Sequence, residues 1–406
     1  MSTAPPEHHP RITESLRSRV RLGRLWRLRE QMIQRDIGTV VLVDPVNIRY
    51  ATDSRNMQIF TARNPARYVF IAAEGPVVLF DFAGCGHLAA GLETIDEIRI
   101  ATTASYVAAA DNLAETTRAW AAEIHDLVRR HGGGNRRIGV ERFNAAAAFA
   151  LRKLDLDVVD AQEPVEQARC IKVPGEIDLM RASMAVVEEG VAKLRAALRP
   201  GVTEVAVWSA LWQHIVANDG DYIETRLLNS GPRTNPWFQE TSSRVIQAGD
   251  LVCLDTDVVG CYGYYSDFSR TFVCGEVTPT REQRQCYQLA YEQIQHNLEL
   301  MRPGLSFGEV SARGWRIPER YHKHRYYLLA HGDGMTGEYP YILYPDDHRE
   351  GGYDGVIEPG MVLCVESFIG AEDGGEGVKL EQQVLITETG YELMSTFPFE
   401  ETLLGG

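Results

Sequence analysis

Hydrophobic and polar positions along the first 165 residues follow helical and strand periods in turn. A 3.6-residue period marks the helices, and short apolar runs bounded by turn residues mark buried strands. The predicted elements are a helix at residues 16–35, strands at 39–43, 67–71 and 76–80, a helix from Asp111 to about Arg130, and short strands at 138–140 and 158–159. Gly132-Gly133-Gly134 is typical of a helix end, since a phosphate loop would open a helix and carry the Walker lysine and serine. The pattern predicts an α/β layer.

The pattern changes near residue 166, where longer helices alternate with strands and tight turns. Helices are predicted at residues 176–198, 205–218 and 281–301. The Pro-Gly turn at residues 199–205 is echoed at residues 302–310, and each follows a long helix and precedes another. We expect a duplicated helix–turn–helix unit on one antiparallel sheet, with a ligand site between the halves. Two unrelated helix-ending turns are the alternative.

Size and charge narrow the class of protein. A length of 406 residues exceeds one ordinary core and predicts two domains. A net charge of −15 disfavours a nucleic-acid partner, and no apolar run approaches the roughly 20 residues that cross a bilayer. Residues 1–12 predict a disordered tail rather than a secretory signal, and hence a soluble, cytoplasmic protein. The seven cysteines form no CxxC pair, which is typical of buried thiols in a reducing compartment and not of structural zinc.

Acidic residues interrupt apolar, strand-like runs at several places in the second half. Asp255 and Asp257 follow the run at residues 251–254, and strand alternation predicts that both side chains lie on one face. A turn near residues 260–263 brings a second strand back with Asp267 opposite them. Three carboxylates placed so close together would repel each other strongly without a counter-charge.

The same pattern recurs toward the C-terminus. His331 follows Leu328-Leu329, Glu366 follows residues 362–365, and Glu381 precedes residues 384–386. Buried carboxylates neutralise, pair or bind metal, and too few lysines or arginines flank these positions to pair with five acids. Five carboxylates and an imidazole suit two divalent ions, such as manganese, iron, cobalt or zinc. Each acid alone also fits a strand-end carboxylate, but the ordered set predicts a metal centre formed by Asp255, Asp257, Asp267, His331, Glu366 and Glu381.

At these residues the sequence resembles the pita-bread metalloenzymes, the family of methionine aminopeptidase, prolidase and creatinase. The shared order is Asp, Asp, His, Glu, Glu on strands, and the similarity extends to Ile171-Lys172, Tyr265-Ser266-Asp267 and residues 358–362. The resemblance implies an α/β (α+β) chain with a creatinase/prolidase-like domain at residues 13–165 and a pita-bread domain, duplicated about a pseudo-twofold axis, at residues 166–406. It also implies a homodimer, in which the loop at residues 47–58 lines the partner's pocket.

Longer segments resemble the dimethylsulfoniopropionate lyase branch of this family. These segments are residues 44–54, 224–228, 230–240 and 379–399. In that branch a second aspartate follows the first, at the position of Asp257. The resemblance implies β-elimination of a sulfonium acid to dimethyl sulfide and acrylate.

Two positions depart from the family's patterns. Peptidases of this fold carry a histidine where this chain has Pro236-Trp237-Phe238, and a second one shortly after the metal-binding histidine. At that second position the lyases carry an aspartate that resembles a general base, whereas this chain has Gly337, which cannot move a proton. The candidate replacements are Tyr326, Asp333 and Glu338, although Glu338 also fits a structural bond. A metal-bound hydroxide would need no side chain.

Candidate substrate contacts lie in the same half of the chain. The residues Trp237, Phe238, Tyr264, Tyr265 and Tyr326 predict an aromatic wall for a sulfonium or ammonium group, with core packing as the alternative. Arg233 suits a substrate carboxylate, and equally a surface loop.

Three functions are compatible with these residues. The first is dinuclear-metal-dependent cleavage of a small zwitterionic carboxylate, as in the lyases. The second is hydrolysis of an amide or Xaa-Pro peptide by metal-bound hydroxide. The third is a metal-binding module without catalysis, which the complete set of six ligands disfavours. We expect an enzyme that acts on a small-molecule substrate, with no nucleic-acid and no membrane partner.

Overall fold

The computed structural model describes residues 12–405, which divide into two compact units. The N-terminal unit comprises residues 13–169 and 173–175, and the C-terminal unit comprises residues 170–172 and those from 176 onward. The predicted tail at residues 1–12 lies, apart from its last residue, outside the described residues. No helix between residues 12 and 405 is long and apolar enough to cross a membrane.

A six-stranded mixed sheet is the centre of the N-terminal unit. Its elements are α1 Glu14–Gln34, β1 Thr39–Leu42, α2 Pro45–Thr52, α3 Gln58–Arg63, β2 Tyr68–Ala72, β3 Val77–Asp81, β4 Glu97–Ile100, α4 Tyr106–Ala109, α5 Leu113–His131, β5 Arg137–Val140, α6 Ala145–Arg152, β6 Asp157–Asp160 and α7 Gln162–Cys170. The strand order is β4-β3-β2-β1-β5-β6, with β1 antiparallel to β2 and parallel to β5. Trp120, Ile124 and Leu127 of α5 form one core with Phe70 and Phe80 of the sheet. The predicted α/β layer is confirmed.

The C-terminal unit combines antiparallel strands with helices. Its elements are α8 Glu176–Ala197, α9 Glu204–Ala217, β7 Tyr222–Ile223, β8 Leu228–Ser230, β9 Leu251–Asp255, β10 Val258–Val259, β11 Tyr265–Ser266, β12 Ser269–Val273, α10 Arg281–Leu298, α11 Phe307–Arg313, α12 Glu319–His322, β13 Leu328–Asp333, β14 Gly337–Leu343, α13 Pro345–Gly351, β15 Val362–Ile369, β16 Val378–Ile386, β17 Tyr391–Leu393 and α14 Glu401–Leu404. The sheets have the orders β11-β10-β7, β12-β9-β8 and β14-β13-β15-β16-β17. Thr271 of β12 joins the last two, since its Oγ1 donates to the carbonyl oxygen of Lys379 in β16 at 2.8 Å.

Helix α10 determines which face of β15 is available for chemistry. Tyr287 and Ile294 of α10 belong to one core with Leu363 and Val365 of β15. Neighbouring residues of a strand point to opposite faces. Cys364 and Glu366 therefore point away from the apolar core, as do the residues paired with them on β16.

The two Pro-Gly turns have the same structure, which supports the predicted duplication. The prediction of one antiparallel sheet is wrong, because the strands of the two halves form separate sheets. Gly201 precedes α9 with φ of 90°, and Gly304 precedes α11 with φ of 88°, a region that favours glycine. The N–H of Gly201 donates to the carbonyl oxygen of Ile246 at 2.9 Å, and that of Gly304 donates to Ile357 at 2.8 Å. Each isoleucine leads into an apolar strand, β9 in the first half and β15 in the second. The acids at equivalent places on those strands meet in the site.

Candidate metal centre

The predicted ligands come from separate strands and connections of the C-terminal unit. They are Asp255 at the end of β9, Asp257 just after it, Asp267 between β11 and β12, His331 in β13, Glu366 in β15 and Glu381 in β16. All are buried except Asp257, which is partly exposed.

The three aspartates lie together, but not by the predicted route. Asp255, Asp257 and Asp267 each place a carboxylate oxygen within 4.8 Å of the others. Strand β9 ends at Asp255, and Asp257 has a left-handed backbone with φ of 44°. Across the ladder Asp255 faces Ser269, whereas Asp267 Oδ1 lies 3.4 Å from the backbone nitrogen of Asp257. The predicted strand alternation is therefore wrong, because a turn brings the second aspartate to the first.

The imidazole of His331 lies among the remaining acids. Its Nε2 is 3.4 Å from Glu381 Oε1, 3.6 Å from Glu366 Oε1 and 3.8 Å from Asp267 Oδ2. Its Nδ1 is 3.0 Å from the carbonyl oxygen of Gly332, and an N–H at Nδ1 would leave Nε2 for a cation. Glu366 and Glu381 are direct cross-strand partners, an arrangement that repels when both are charged. These atoms converge as the ligands of a cation do.

One lysine pairs with three of the five acids, a contact that the sequence analysis did not predict. Lys379 Nζ lies 2.7 Å from Glu366 Oε2, 3.0 Å from Glu381 Oε2 and 3.1 Å from Asp255 Oδ2. Residues 379 and 381 share a face of β16 by strand alternation, so the sequence held this signal. A single ammonium still leaves most of the negative charge without a counter-charge.

The cluster resists full ionisation in the absence of a cation. Burial raises the pKa of the four acids other than Glu381, and neighbouring carboxylates raise each pKa further. Burial also acts to raise the pKa of Glu381, but Lys379 and His331 together lower it below its ordinary value. Within the described residues, Glu381 Oε1 is buried and accepts no hydrogen bond. An oxygen-rich set with an imidazole and an unpartnered oxygen fits divalent cations.

Cys364 lies in the cluster although the sequence did not single it out. Its Sγ lies within 4.8 Å of ligand atoms from three of the predicted metal ligands. Burial raises the pKa of this thiol well above its usual range, which keeps the sulfur protonated. Asp333, a predicted catalytic residue, lies 3.7 Å away and accepts a hydrogen bond from Gln383. Asp333 has no exposed surface, and this enclosure favours a positioning role.

Two tyrosines of the predicted aromatic wall form hydrogen bonds to acids instead. Tyr265 Oη donates to Asp257 Oδ1 at 2.7 Å, and Tyr264 Oη donates to Glu176 Oε1 at 2.9 Å. Both rings are buried. Tyr265 thus orients a predicted ligand, and the placement of Tyr264 in the wall is wrong because Tyr264 contacts Glu176.

The other three aromatic residues, Trp237, Phe238 and Tyr326, form a patch beside Lys379; we call them the aromatic patch. The ring centroids of Phe238 and Tyr326 are 5.3 Å apart, and those of Trp237 and Phe238 are 6.5 Å apart. Lys379 Nζ is 5.1 Å from the centre of the Tyr326 ring and 5.7 Å from that of Trp237. Phe238 is 57% exposed, so the patch reaches solvent next to the acids.

Two further candidates are held by ion pairs. Lys172 Nζ donates to Glu338 Oε1 at 2.6 Å, and both side chains are buried. This pair favours the structural alternative for Glu338. Arg233 Nη2 donates to the carbonyl oxygen of Glu240 at 2.5 Å, and its Nε lies 3.4 Å from Glu204 Oε2. The role of Arg233 as a carboxylate anchor stays a prediction.

Gly337, which occupies the predicted position of the base, lies next to the imidazole of His331, a predicted metal ligand. It begins β14 opposite Asp333 and is exposed. A Cβ at this position would have only His331 within 4 Å among the described residues, with Cε1 and Nδ1 both at 3.9 Å. A side chain at position 337 would therefore fit beside the His331 ring.

Two protein families match the chain. Metallopeptidase family M24 matches residues 178–388, and the Creatinase/Prolidase N-terminal domain matches residues 24–171. Dimethylsulfoniopropionate lyase DddP of Roseovarius nubinhibens is 39% identical over 95% of this chain and 88% of that protein. The protein of the same name from Roseobacter denitrificans is 38% identical over 93% of this chain and 86% of its own.

Solved structures share the fold over more than nine-tenths of this chain. The Xaa-Pro dipeptidase from Bacillus anthracis superposes with a TM-score of 0.73 at 22% identity, covering 94% of this chain and 99% of that chain. The prolidase from Pyrococcus furiosus superposes with a TM-score of 0.71 at 20% identity, covering 92% and 99%. The predicted fold class, family and enzyme class are thereby confirmed. The chain belongs to metallopeptidase family M24, the pita-bread fold of metal-dependent lyases and hydrolases, in the branch that includes the dimethylsulfoniopropionate lyases and carries a creatinase/prolidase-type N-terminal domain.

Proposed function

We propose that this chain is a dinuclear metalloenzyme that cleaves a small zwitterionic carboxylate. The observation that supports it best is the convergence of His331 Nε2 with oxygens of Glu381, Glu366 and Asp267 at 3.4 to 3.8 Å. The proposed ligands are Asp255, Asp257, Asp267, His331, Glu366 and Glu381, and the proposed ions are iron, manganese, zinc or cobalt. When bound, such ions supply Lewis acidity and lower the pKa of a coordinated water toward about 7.

The aromatic patch is the proposed site for the cationic end of the substrate. Aromatic faces attract sulfonium and ammonium groups, and Phe238 is exposed enough to be reached. The carboxylate end would lie toward Arg233 or the metal ions. The names of the Roseovarius and Roseobacter relatives make β-elimination of dimethylsulfoniopropionate the first reaction to test.

Tyr326 is the residue of the patch that can hold a proton for the reaction. Burial raises the pKa of its phenol well above the ordinary value, and the negative charge of Glu366 raises it further. The phenol therefore stays protonated and suits a hydrogen-bond donor to the substrate rather than a base. Asp333 and Glu338 would position other groups, since each is buried in contacts of its own.

Hydrolysis is the second candidate, and Gly337 bears on both reactions, because the peptidases carry a histidine and the lyases an aspartate at this position. No side chain at this position can take the proton that β-elimination removes from carbon. Hydrolysis of an amide or Xaa-Pro bond needs only a metal-activated water, which is compatible with the prolidase-type fold.

Two assays on the metal-loaded protein separate the candidates. Dimethyl sulfide released from dimethylsulfoniopropionate supports the first, and free proline released from Xaa-Pro dipeptides supports the second. Glu381→Gln is the matched control, because it keeps the shape of a proposed ligand and removes its charge. Elemental analysis should find two metal ions per chain. A protein that binds no metal, or that turns over neither substrate, contradicts the proposal. The homodimer and the cytoplasmic location stay predictions, and light scattering tests the first of them.

A further inference from the structure

Lys379 lies inside the acid cluster without being a metal ligand. Its side chain is fully buried. Its Nζ donates to Glu366 Oε2 at 2.7 Å, to Glu381 Oε2 at 3.0 Å and to Ser269 Oγ at 2.7 Å, and it lies 3.1 Å from Asp255 Oδ2. Acids from both halves of the duplicated unit thus meet at one ammonium.

The lysine binds one oxygen of each glutamate and leaves the other free. Glu366 Oε2 and Glu381 Oε2 face Lys379, whereas Oε1 of each faces His331 Nε2, at 3.6 and 3.4 Å. A carboxylate fixed at one oxygen loses most of its freedom to rotate. The ammonium therefore sets the direction in which both glutamates present their second oxygen.

The charge of the lysine matters as much as its geometry. Five ionised carboxylates and one ammonium carry a net charge of −4, which two divalent cations balance. Removing the partner of a buried charge is strongly destabilising. Without Lys379, the metal-free chain would hold five buried acids with no ammonium among them.

We propose that Lys379 is a positioning residue of the metal centre, an internal counter-cation that keeps the acids assembled before metal binds and that weakens metal binding by its own charge. The inference rests on the metal centre of the proposed function and not on its substrate. The lysine stabilises the metal-free chain more than the loaded one, because the ions supply the positive charge when they are bound. By thermodynamic linkage, its loss must tighten metal binding to the folded chain.

The test compares metal-free and manganese-loaded protein. Lys379→Met replaces the ammonium with an apolar side chain of similar length, and Lys379→Arg keeps the charge. We expect Lys379→Met to lower the Tm of the metal-free form more than that of the loaded form. We expect the Kd for Mn²⁺, measured by calorimetry, to fall at least tenfold. Lys379→Arg should keep both values near those of the unaltered chain.

Lys172→Met is the matched control. Lys172 is also a buried lysine, but it pairs with Glu338. Its loss should lower the Tm of both forms alike and leave the Kd for Mn²⁺ unchanged. A merely structural role for Lys379 predicts that Lys379→Met behaves in the same way, and that result would overturn the inference.

A double variant covers the case in which metal-free Lys379→Met does not fold. Glu366→Gln removes one negative charge. Added to Lys379→Met, it should restore folding of the metal-free chain, whereas Glu366→Gln alone should not stabilise the chain. No restoration contradicts the charge argument. If the unaltered chain binds no Mn²⁺, the proposed metal centre fails; if it binds Mn²⁺ and Lys379→Met binds no more tightly, only the inference about Lys379 fails.

Discussion

Replacing Gly337 with aspartate tests whether the missing side chain limits β-elimination. The backbone at this position is not left-handed, and the nearest atoms to a new Cβ are those of the His331 ring, at 3.9 Å. Gly337 is exposed, so we expect the free energy of unfolding to change by no more than about 1 kcal/mol. The carboxylate oxygens would reach roughly 2.4 Å beyond Cβ by standard bond lengths, which is enough to reach groups around the His331 ring.

The expected gain follows from the size of general-base catalysis. A positioned base contributes about 10²- to 10⁴-fold, and we expect Gly337→Asp to release dimethyl sulfide about 10²-fold faster than the unaltered chain. This gain is about 2.7 kcal/mol in activation free energy. Headspace gas chromatography on metal-loaded protein with dimethylsulfoniopropionate measures it.

Gly337→Asn is the matched control for this gain. Asparagine has the shape of aspartate but cannot take up a proton, so the Asn variant should stay at the rate of the unaltered chain. Equal rates for the Asp and Asn variants would refute the reasoning. So would an unaltered chain that already matches Gly337→Asp, because another group would then act as the base.

Three further predictions concern stability. Chelation should lower the Tm by at least about 2–4 °C, and Mn²⁺ at 100 times its Kd should restore it, because such binding stabilises the folded chain by about 2.7 kcal/mol. Lys172→Met should lower the free energy of unfolding in urea by about 3–5 kcal/mol, because it removes one partner of a buried ion pair; a loss below about 1 kcal/mol would mean that water reaches the pair. Burial raises the pKa of Glu141 from 4.5 to about 7, so the folded chain holds an extra proton between these values and stability falls as pH rises through them. The free energy of unfolding should therefore be higher at pH 5 than at pH 8, and Glu141→Gln should remove up to about 3 kcal/mol of that difference. An unchanged difference would contradict the raised pKa of Glu141.

The strands that carry the site were predictable, because each is a long apolar run that contains an acidic residue. Glu366 and Glu381 lie in β15 and β16, whose other residues are almost all buried. The position of Asp257 was not predictable, because nothing in the sequence shows that β9 ends two residues earlier and turns through a left-handed backbone. Lys379 was predictable by strand alternation. Its contacts with Glu366 and Asp255 were not predictable, because these two acids lie on other strands.

The burial of the other catalytic candidates follows from tertiary packing that local sequence does not encode. In the sequence Asp333 looks available, because it lies two residues after His331, a predicted metal ligand. In the structure Cys364 of β15 and Gln383 of β16 cover it. Tyr264 and Tyr265 are adjacent, so they point to opposite faces. One reaches Glu176 and the other Asp257. The presence of two adjacent tyrosines in the sequence does not show which of them lies beside the predicted metal ligands.

The duplication explains why the two halves contribute acids from equivalent positions. It also shows that only one half contributes an imidazole. Cys253 and Asp255 of β9 take the places that Cys364 and Glu366 have in β15, since each acid lies two residues after its cysteine. The neighbouring strand then pairs Asn229 with Cys253 in the first half.

In the second half the same place belongs to His331, which pairs with Cys364. The amide of Asn229 in the first half therefore occupies the position that the imidazole of His331 has in the second half. Within the described residues, both polar atoms of the Asn229 side chain are buried without a hydrogen bond. The first half instead contributes two further acids beside Asp255. These are Asp257, just after β9, and Asp267, between β11 and β12. The duplicated scaffold thus supplies an equivalent acid from each half, Asp255 and Glu366, but an imidazole only from the second half, so the two proposed cations would have different ligands.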